Sequence, residues 1–544
     1  MERHSNRFAS PRARAGFAAV LFLAGCAGAG AQRAGAGAVA AGKFTPAGAP
    51  AANYGPDPQR TCPSTTIARY VASDTADQAK DIQKPAPQAD GRLCAVAESL
   101  LGWDEQQPVP EIVRAFVAFH HGVPTSIPRV LLASLQELEN PRELAARLDE
   151  VVMQYVRSAT GEVRYGIATA PGSRGGTKLS LVMQEPQLDL VEPFPRKLDP
   201  KAEATLSGRL LGAHENAKVL VSDPRGKLQQ PESKPGKEFR VPVSCGGRTG
   251  RMAVEIRAER QGQPEVLANF PVACGTELPT SVDVPAPGGD PAQKERAIFE
   301  QINAERTEAG IPALKWDDKV AQVARSVSES EAKSGGGGAA VGELEARLKA
   351  AGIASPIVLA NPAATRTAEE AQRRFSLSPV YRANYMSTDA THGGIGVVIG
   401  KDAQGGNVAF VTELFVRELA QMDVAAVAPK LRETINKKRA SAGMPASRDD
   451  PILDKVAQEY AQALAAANGN ITDAKHSQIV SPLYKTFRTV DFLSGAKADP
   501  MEFADERTVL TSKEKAMGIG VAQGNHPVLG KNATYVVLLF GTRK

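Results

Sequence analysis

The sequence predicts a multidomain α/β protein whose second half consists of two similar units. A helical segment with the same residues at nearly the same spacing is present twice, at 302–322 and at 435–458. Each copy is followed by a Gly-Ile-Gly-Val strand signal and then by a second apolar strand. Because an internal repeat indicates a repeated structural unit, we expect two consecutive α/β units, at 292–420 and 421–544.

The motifs of the repeated segment carry a family resemblance. Each copy has an Asn and an Arg on its first helix and then a Gly-x-Pro turn, and Trp316-Asp317 precedes the second helix of the first copy. Further on, residues 378–384 read Ser-Pro-Val-Tyr-Arg-Ala-Asn. In this order the motifs resemble the CAP superfamily of cysteine-rich secretory, antigen-5 and pathogenesis-related proteins. The resemblance implies an α-β-α sandwich over about 290–418, with a second CAP-like unit in tandem that resembles the family mainly in its first helices and last hairpin.

The resemblance also implies a cavity, and its residues are largely replaced here. Intact members place two His and two Glu in it, a set able to hold a metal or do acid–base chemistry. In the first unit Tyr381 stands where the family has a His, and Ala360 stands where it has a Glu, beside a retained Asn361. The second unit keeps His476. Because one imidazole alone is a poor metal site and a poor base, we expect no catalytic residue, metal or cofactor.

Two classes of function follow from these replacements. The favoured one is a membrane-anchored bacterial envelope lipoprotein, not an enzyme, whose degenerate CAP domains bind or scaffold a protein, lipid or cell-wall ligand. The alternative is a hydrolase, or a lipid-binding CAP protein, that uses a residual cavity around His476.

The first 25 residues resemble a lipoprotein signal peptide. Arginines precede an apolar run, Ala15–Gly25, which is too short to span a bilayer. The run leads into Leu-Ala-Gly-Cys at 23–26, which resembles a lipobox and implies cleavage before Cys26 and lipid attachment to its thiol. A plain secretory signal with a chance Cys is the alternative. Ala27 after the Cys favours, by family analogy, the outer membrane if the cell has one.

The four remaining cysteines form two local groups. An even number in an exported chain predicts disulfides, here Cys62–Cys94 and Cys245–Cys274. Neither group has the Cys-x-x-Cys step that is typical of zinc sites.

Composition and hydrophobic pattern divide the rest of the chain. Residues 26–60 are rich in Ala, Gly and Pro and are expected to form a flexible tether. Residues 61–195 show helical periodicity and then a hairpin, which predicts a helix-rich α/β domain, with a diverged third CAP-like unit as an open alternative. Short alternating strands over 196–276 predict a small immunoglobulin-type β-sandwich, and 277–291 reads as a linker rich in Pro and Gly.

Several other polar residues are interpreted as structural. His120-His121 lie at a predicted helix end, where we expect partly exposed rings that face different ways. Arg306 and Arg439 occupy the same place in the two units, which predicts bonds to neighbouring backbone. The chain has 65 basic and 60 acidic residues with no basic run past the signal, so nucleic acid is not an expected partner, whereas the membrane is, through the lipid anchor.

Overall fold

The computed structural model describes residues 42–127, 129–135, 140–172, 176–285, 288–334, 341–401 and 405–544. The predicted signal peptide and Cys26 lie outside these residues. The described chain is a mixed α/β multidomain protein. In its described part, no helix combines the length and the apolar character needed to cross a bilayer.

The N-terminal part of the chain forms an α/β unit. Its elements, in order, are β1 Gly42–Phe44, β2 Asn53–Tyr54, α1 Thr66–Asp81, β3 Gln88–Ala89, α2 Gly91–Leu100, α3 Glu111–His120, β4 Arg129–Leu135, α4 Pro141–Ser158, β5 Arg164–Pro171 and β6 Thr177–Gln184. Apolar side chains of α1 and α4 pack on one face of the sheet, and those of α2 and α3 pack on the other. Both β5 and β6 have buried residues on their two faces, which explains why their apolar residues follow one another almost without interruption.

A β-sandwich follows directly along the chain. Its strands are β7 Leu188–Leu190, β8 Phe194–Pro195, β9 Lys197–Leu198, β10 Glu203–Leu210, β11 Glu215–Ser222, β12 Leu228–Gln229, β13 Glu238–Ser244, β14 Gly250–Arg260 and β15 Gln263–Cys274. One sheet has the order β13-β10-β7 and the other β12-β11-β14-β15-β9, with a shared apolar core between them. The immunoglobulin-type assignment stays a prediction.

Two further α/β units complete the chain. Before them, β16 Val282–Val284 packs in the core of the N-terminal unit. The first unit contains α5 Pro291–Glu308, β17 Lys315–Trp316, α6 Asp318–Ser334, α7 Val341–Ala350, β18 Val358–Thr365, α8 Ala368–Leu377, α9 Pro379–Tyr385, β19 His392–Lys401 and β20 Asn407–Val416. The second contains α10 Val424–Ser441, β21 Arg448–Asp449, α11 Pro451–Ala466, α12 Asp473–Val480, β22 Phe487–Lys497, α13 Arg507–Thr511, β23 Ala516–His526 and β24 Gly530–Arg543. In both units helices cover the two faces of a central sheet.

Three of the sheets share one topology. The orders are β3-β5-β6-β4, β17-β19-β20-β18 and β21-β23-β24-β22. In each, a two-residue strand runs parallel to the first strand of the closing hairpin, and the other pairings are antiparallel. The N-terminal unit therefore has the same strand arrangement as the two later units.

A capping Asp supports the same correspondence. Asp90, Asp317 and Asp450 each follow the two-residue strand, and each side chain accepts a bond from a backbone N–H in the first turn of the next helix. Their own backbone N–H groups donate to the first hairpin strand, over 2.9, 2.9 and 3.2 Å. An Asp at this position satisfies free donors at a helix start.

A close approach of strand to helix is the second shared feature. A Cβ on Gly166 would lie 2.1 Å from the carbonyl carbon of Leu93 in α2. The corresponding glycines of the later units, Gly394 and Gly518, would each place a Cβ 2.2 Å from the backbone of α6 or α11. Only glycine permits this separation between sheet and helix.

The predicted tether and linker are partly ordered. β1, within the predicted tether, pairs antiparallel with β16, within the predicted linker. Tyr54 is fully buried, and its hydroxyl donates to the carbonyl of Pro271 over 2.8 Å. The prediction of a flexible 26–60 is therefore wrong for 42–60, because Phe44 and Tyr54 give this segment apolar side chains to bury.

Two details of the N-terminal prediction also need correction. The sandwich begins near Leu188 rather than at 196, because Leu188 and Leu190 of β7 point into its core. His120 and His121 are buried, not partly exposed. His121 lies between Ser99 Oγ and Arg60 Nη1, each 2.7 Å from a ring nitrogen, and burial lowers its pKa to about 3.

The disulfides are confirmed. Cys62, which precedes α1 in the N-terminal unit, is joined to Cys94 in α2. Cys245 is joined to Cys274, where β13 and β15 of the sandwich end. Both bridges are local, so neither crosses the boundary between the N-terminal unit and the sandwich.

Candidate functional site

The structure brings three of the four predicted cavity positions together. Ala360 and Asn361 lie on β18, and Tyr381 lies on α9 above that strand. The Asn361 amide donates to the backbone carbonyl of Tyr381 over 3.0 Å. Asn384, one turn further along α9, donates to Asn361 Oδ1 over 2.8 Å and to the carbonyl of Ala360 over 3.3 Å. These polar groups attach α9 to the edge strand of the sheet.

Glu413 is the residue of this cluster that the sequence reasoning missed. It lies opposite Asn361 on β20, is fully buried, and accepts a bond of 2.7 Å from the Asn361 amide at Oε2. Its Oε1 is buried without a partner among the described residues. Burial raises the pKa of Glu413 to about 8, so the carboxyl is largely protonated at neutral pH. A single Glu within the apolar strand β20 was the available signal.

The positions that correspond to Asn361 and Glu413 are apolar in the last unit and in the N-terminal unit. The pair is Leu493 and Leu538 in the last unit, and Leu131 and Leu181 in the N-terminal unit. The carboxyl–amide pair therefore distinguishes the first unit of the duplicated region from its two counterparts.

A second buried polar cluster lies beside the first, around Glu305 of α5. The Tyr385 hydroxyl donates to Glu305 Oε2 over 2.8 Å, and Arg251 of the β-sandwich forms an ion pair with Oε1, also at 2.8 Å. Burial pushes the pKa of Glu305 upward, but the charges of Arg251 and Arg382 bring it below its ordinary value. Glu305 is therefore a charged partner that joins two domains.

Arg382 continues this connection into the sandwich. It directly follows Tyr381 and is buried, with 2% of its surface exposed. Its Nη1 donates to the carbonyl of Asp223 over 2.6 Å and to Ser222 Oγ over 3.1 Å, and its Nη2 donates to the carbonyl of Pro224 over 3.0 Å. The segment that carries the cavity position Tyr381 is therefore also a domain interface.

The neighbouring helix α8 extends the interface. Leu377 at its end belongs to the apolar core of the sandwich. Arg373 donates to the carbonyl of Ile112 in α3, and its guanidinium lies 5.6 Å from the ring centre of Phe119. Residues 368–385 thus contact both the sandwich and the N-terminal unit.

The two repeated arginines have the predicted structural role. Arg306 donates from Nε to the carbonyl of Pro312 over 2.9 Å and from Nη1 to that of Tyr385 over 2.7 Å. Arg439 donates to the carbonyls of Pro445, Val509 and Ser512. Each arginine therefore fastens the first helix of its unit to later loops.

His476 lies apart from the other cavity positions, in the last unit. Its Nδ1 is 2.8 Å from the Tyr460 hydroxyl, and its ring contacts those of Tyr460 and Phe492 edge to face. These contacts hold the imidazole in a partly buried aromatic cluster.

The residues present do not fit the metal set that the family cavity implies. Ala360 offers a methyl group, and Asn361 is engaged with protein partners. Across the described ranges, no three or more His, Cys, Asp or Glu side chains form a group that could hold a metal ion.

Comparison with known proteins identifies the domain. Residues 299–415 match the model of the cysteine-rich secretory protein family, CAP. The chain therefore contains a CAP domain, formed by the unit from α5 to β20. No curated protein matches the chain.

Several solved structures are similar to parts of the chain. An outer surface protein from Borrelia burgdorferi is 14% identical, with 24% of this chain and 96% of that chain covered and a TM-score of 0.21. An extracellular protein containing an SCP domain from Bacillus anthracis is 14% identical, with 46% and 81% covered and a TM-score of 0.20. A cysteine-rich secretory protein from Staphylococcus aureus is 11% identical, with 43% and 81% covered and a TM-score of 0.21.

Proposed function

We propose that the protein is a non-catalytic envelope lipoprotein in which the CAP domain and two related units form a binding or scaffolding body. The observation that carries the proposal is the position of Arg382. The segment in which Tyr381 stands in place of the family's His is held on the sandwich by this buried guanidinium. The hydrogen bonds of this segment therefore stabilise the arrangement of two domains and do not hold a substrate.

The chemistry around Ala360 and Tyr381 supports the same proposal. Asn361 and Asn384 use their amide groups to hold α9 on β18. Glu413 is fully buried, so it lies out of contact with a substrate in solvent. A buried carboxyl in this setting acts as a structural partner.

We also infer that the N-terminal unit is a third, diverged CAP-like unit. Its sheet order, its capping Asp90 and its close-packed Gly166 have counterparts in the CAP domain and in the last unit. Three such units together with a sandwich provide a large surface, which suits a scaffold.

Export and anchoring are supported by different features. Two disulfides favour an oxidising compartment outside the cytoplasm. Cys26 in its lipobox-like setting supports attachment to a membrane through lipid, with the outer membrane favoured if the cell has one. A protein, lipid or cell-wall ligand is the expected partner, and native mass spectrometry of protein purified from membranes would show one that is retained.

The proposal is tested by two measurements. Limited proteolysis reports whether the CAP domain stays docked on the sandwich, and activity assays report hydrolysis. Arg382→Met should make the connection at 276–290 faster to cleave by limited proteolysis, because three groups of the sandwich lose their donor. Arg439→Met is the matched control, since Arg439 bonds only carbonyls of its own unit in the described structure. The parent should hydrolyse neither ester, peptide nor cell-wall substrates. Hydrolysis that disappears in His476→Ala would instead establish the hydrolase alternative.

A further inference from the structure

A cleft of about 310 Å³ lies between the β-sandwich and the CAP domain, and most of its charged side chains are cationic. The sandwich contributes Arg225, Lys227 and Arg248, and the CAP domain contributes Ser387 and Thr388 from the loop after α9. Asp223 is the acidic residue of the described lining. Three cations against one carboxylate leave an excess of two positive charges.

The carboxylate of Asp223 fixes one turn of the cleft and forms a long ion pair with one of its three cations. Asp223 is 2% exposed, and its Oδ1 accepts the backbone N–H groups of Arg225 and Lys227, each over 2.9 Å. Its Oδ2 forms an ion pair with Arg248 Nε at 3.8 Å, a separation too long for a hydrogen bond. One buried acid thus fixes the turn that carries Arg225 and Lys227 and lies close to the Arg248 side chain on the second turn.

Both turns are held by further backbone bonds. The first, Asp-Pro-Arg-Gly, closes with a bond of 2.8 Å from Gly226 to the carbonyl of Asp223. The second, Cys-Gly-Gly-Arg, is fixed by the disulfide at Cys245 and by a bond of 2.8 Å from Gly247 to the carbonyl of Pro200. Fixed turns reduce the ordering cost when a ligand binds.

The cationic side chains differ in how much they are already used. Arg225 donates from Nη2 to the carbonyl of Gly310 over 3.2 Å, which helps to hold the two domains together. Lys227 and Arg248 are exposed at the mouth of the cleft. These two exposed cationic groups and the two hydroxyls offer more donors than the two oxygens of a carboxylate can accept, whereas a phosphate has three or four oxygens.

We propose that this cleft binds a phosphate-bearing anion, either a free phosphate compound or the headgroup of an anionic lipid. Arg248 supplies a planar fork for two phosphate oxygens, and Lys227 supplies a point charge on the opposite turn. This site is separate from the predicted cavity positions, and the inference goes beyond the proposed scaffolding role and does not depend on it.

The test uses the full chain carrying Cys26→Ser, so that a lipid anchor cannot contribute to vesicle binding. Pyrophosphate binding is measured by calorimetry at low ionic strength, and vesicle binding by co-sedimentation with phosphatidylcholine containing or lacking phosphatidylglycerol. Lys227→Ala with Arg248→Ala should weaken binding about tenfold or more, because two charge-assisted contacts are lost. Arg209→Ala with Lys234→Ala is the matched control, since it removes the same charge from exposed positions of the sandwich outside the cleft.

The outcomes are distinct. Pyrophosphate binding that is lost in the cleft variant and kept in the control supports the proposal with a free phosphate compound as ligand. Binding only to vesicles with phosphatidylglycerol, with the same dependence on Lys227 and Arg248, supports it with a lipid headgroup as ligand. The proposal is overturned if the parent binds neither probe, or if both double variants weaken binding equally.

Discussion

The Asn361 amide donates a hydrogen bond of 2.7 Å to Oε2 of Glu413, and both side chains are fully buried between the central sheet and the helices α5, α8 and α9 of the CAP domain. The counterparts in the last unit are Leu493 and Leu538. A polar pair in a core is stable only when its groups are bonded, so the protonated carboxyl and the amide depend on each other.

The first prediction concerns the pH dependence of stability. Glu413 has a pKa of about 8 in the folded protein, above its ordinary 4.5, because burial disfavours the charge. The stabilisation is therefore complete below pH about 4.5 and is lost as the pH rises through about 8. Glu413→Gln, which keeps an acceptor for Asn361, should remove a fall of a few kcal/mol in the free energy of unfolding across this window, measured by chemical denaturation.

Asp149 provides the control for this measurement. Burial, with the charge of Asp74, raises its pKa to about 7, so it contributes a fall in the same direction from the N-terminal unit. Asp149→Asn should remove the fall in the free energy of unfolding that Asp149 causes and leave the fall caused by Glu413. If the free energy of unfolding falls equally steeply with pH in the parent and in Glu413→Gln, the Glu413 carboxyl is not protonated in the folded state and the interpretation is wrong.

The second prediction tests the correspondence between the units. Gly166→Ala should destabilise the protein by about 3 kcal/mol or more in thermal or chemical unfolding, because the new Cβ meets the backbone of α2 at 2.1 Å. Gly518→Ala should have a similar effect, since its Cβ would meet α11 at 2.2 Å. Gly42→Ala, with no atom within 4 Å of the new Cβ, should be close to neutral. If Gly166→Ala lowers the free energy of unfolding only slightly, the sheet of the N-terminal unit does not pack on its helix as closely as the sheets of the later units do.

The third prediction concerns the anchor. Cys26 lies outside the described residues, and its lipidation is predicted from the lipobox-like sequence before it. Cys26→Ser should move the protein from the membrane fraction to the soluble fraction, because acyl chains on this thiol would supply the membrane affinity. A variant that fractionates with the parent would rule out the lipid anchor.

The fourth prediction concerns metal binding by the CAP domain and the last unit. Zinc titrated into the full chain should show no tight calorimetric binding, because zinc needs three or four protein ligands and the cavity positions offer few. His476→Ala is the informative variant. Tight binding in the parent that disappears in His476→Ala would refute the non-catalytic proposal, since it would show that His476 belongs to an assembled site.

Much of the architecture was predictable from local signals. The two repeated helices, the closing hairpins and the disulfides follow from residue types at fixed spacing, and the match of 299–415 to the CAP family bears out the resemblance. The structural roles of Arg306 and Arg439 were predictable for the same reason: each lies at the same place on the first helix of its unit.

Contacts between distant parts of the chain were not predictable. Nothing near Tyr54 or Phe44 in sequence indicates that these side chains would be buried against the sandwich and the N-terminal unit. The burial of His121 depends on Ser99 and Arg60, and the pKa of Glu413 depends on enclosure by α5 and α9. Burial is a property of the assembled core, so a residue's own neighbours in sequence cannot report it.

The sequence by itself determined the repeated helical segments, the CAP motifs and the pairing of the cysteines, because each depends on short segments whose chemistry is local. The tertiary structure alone decided that Arg382 joins the CAP domain to the sandwich and that Asn361 finds Glu413, 52 residues later. It also decided that Lys227 and Arg248 face one cleft. Packing brings these residues together, and the energy of a buried bond or an uncompensated charge depends on that environment.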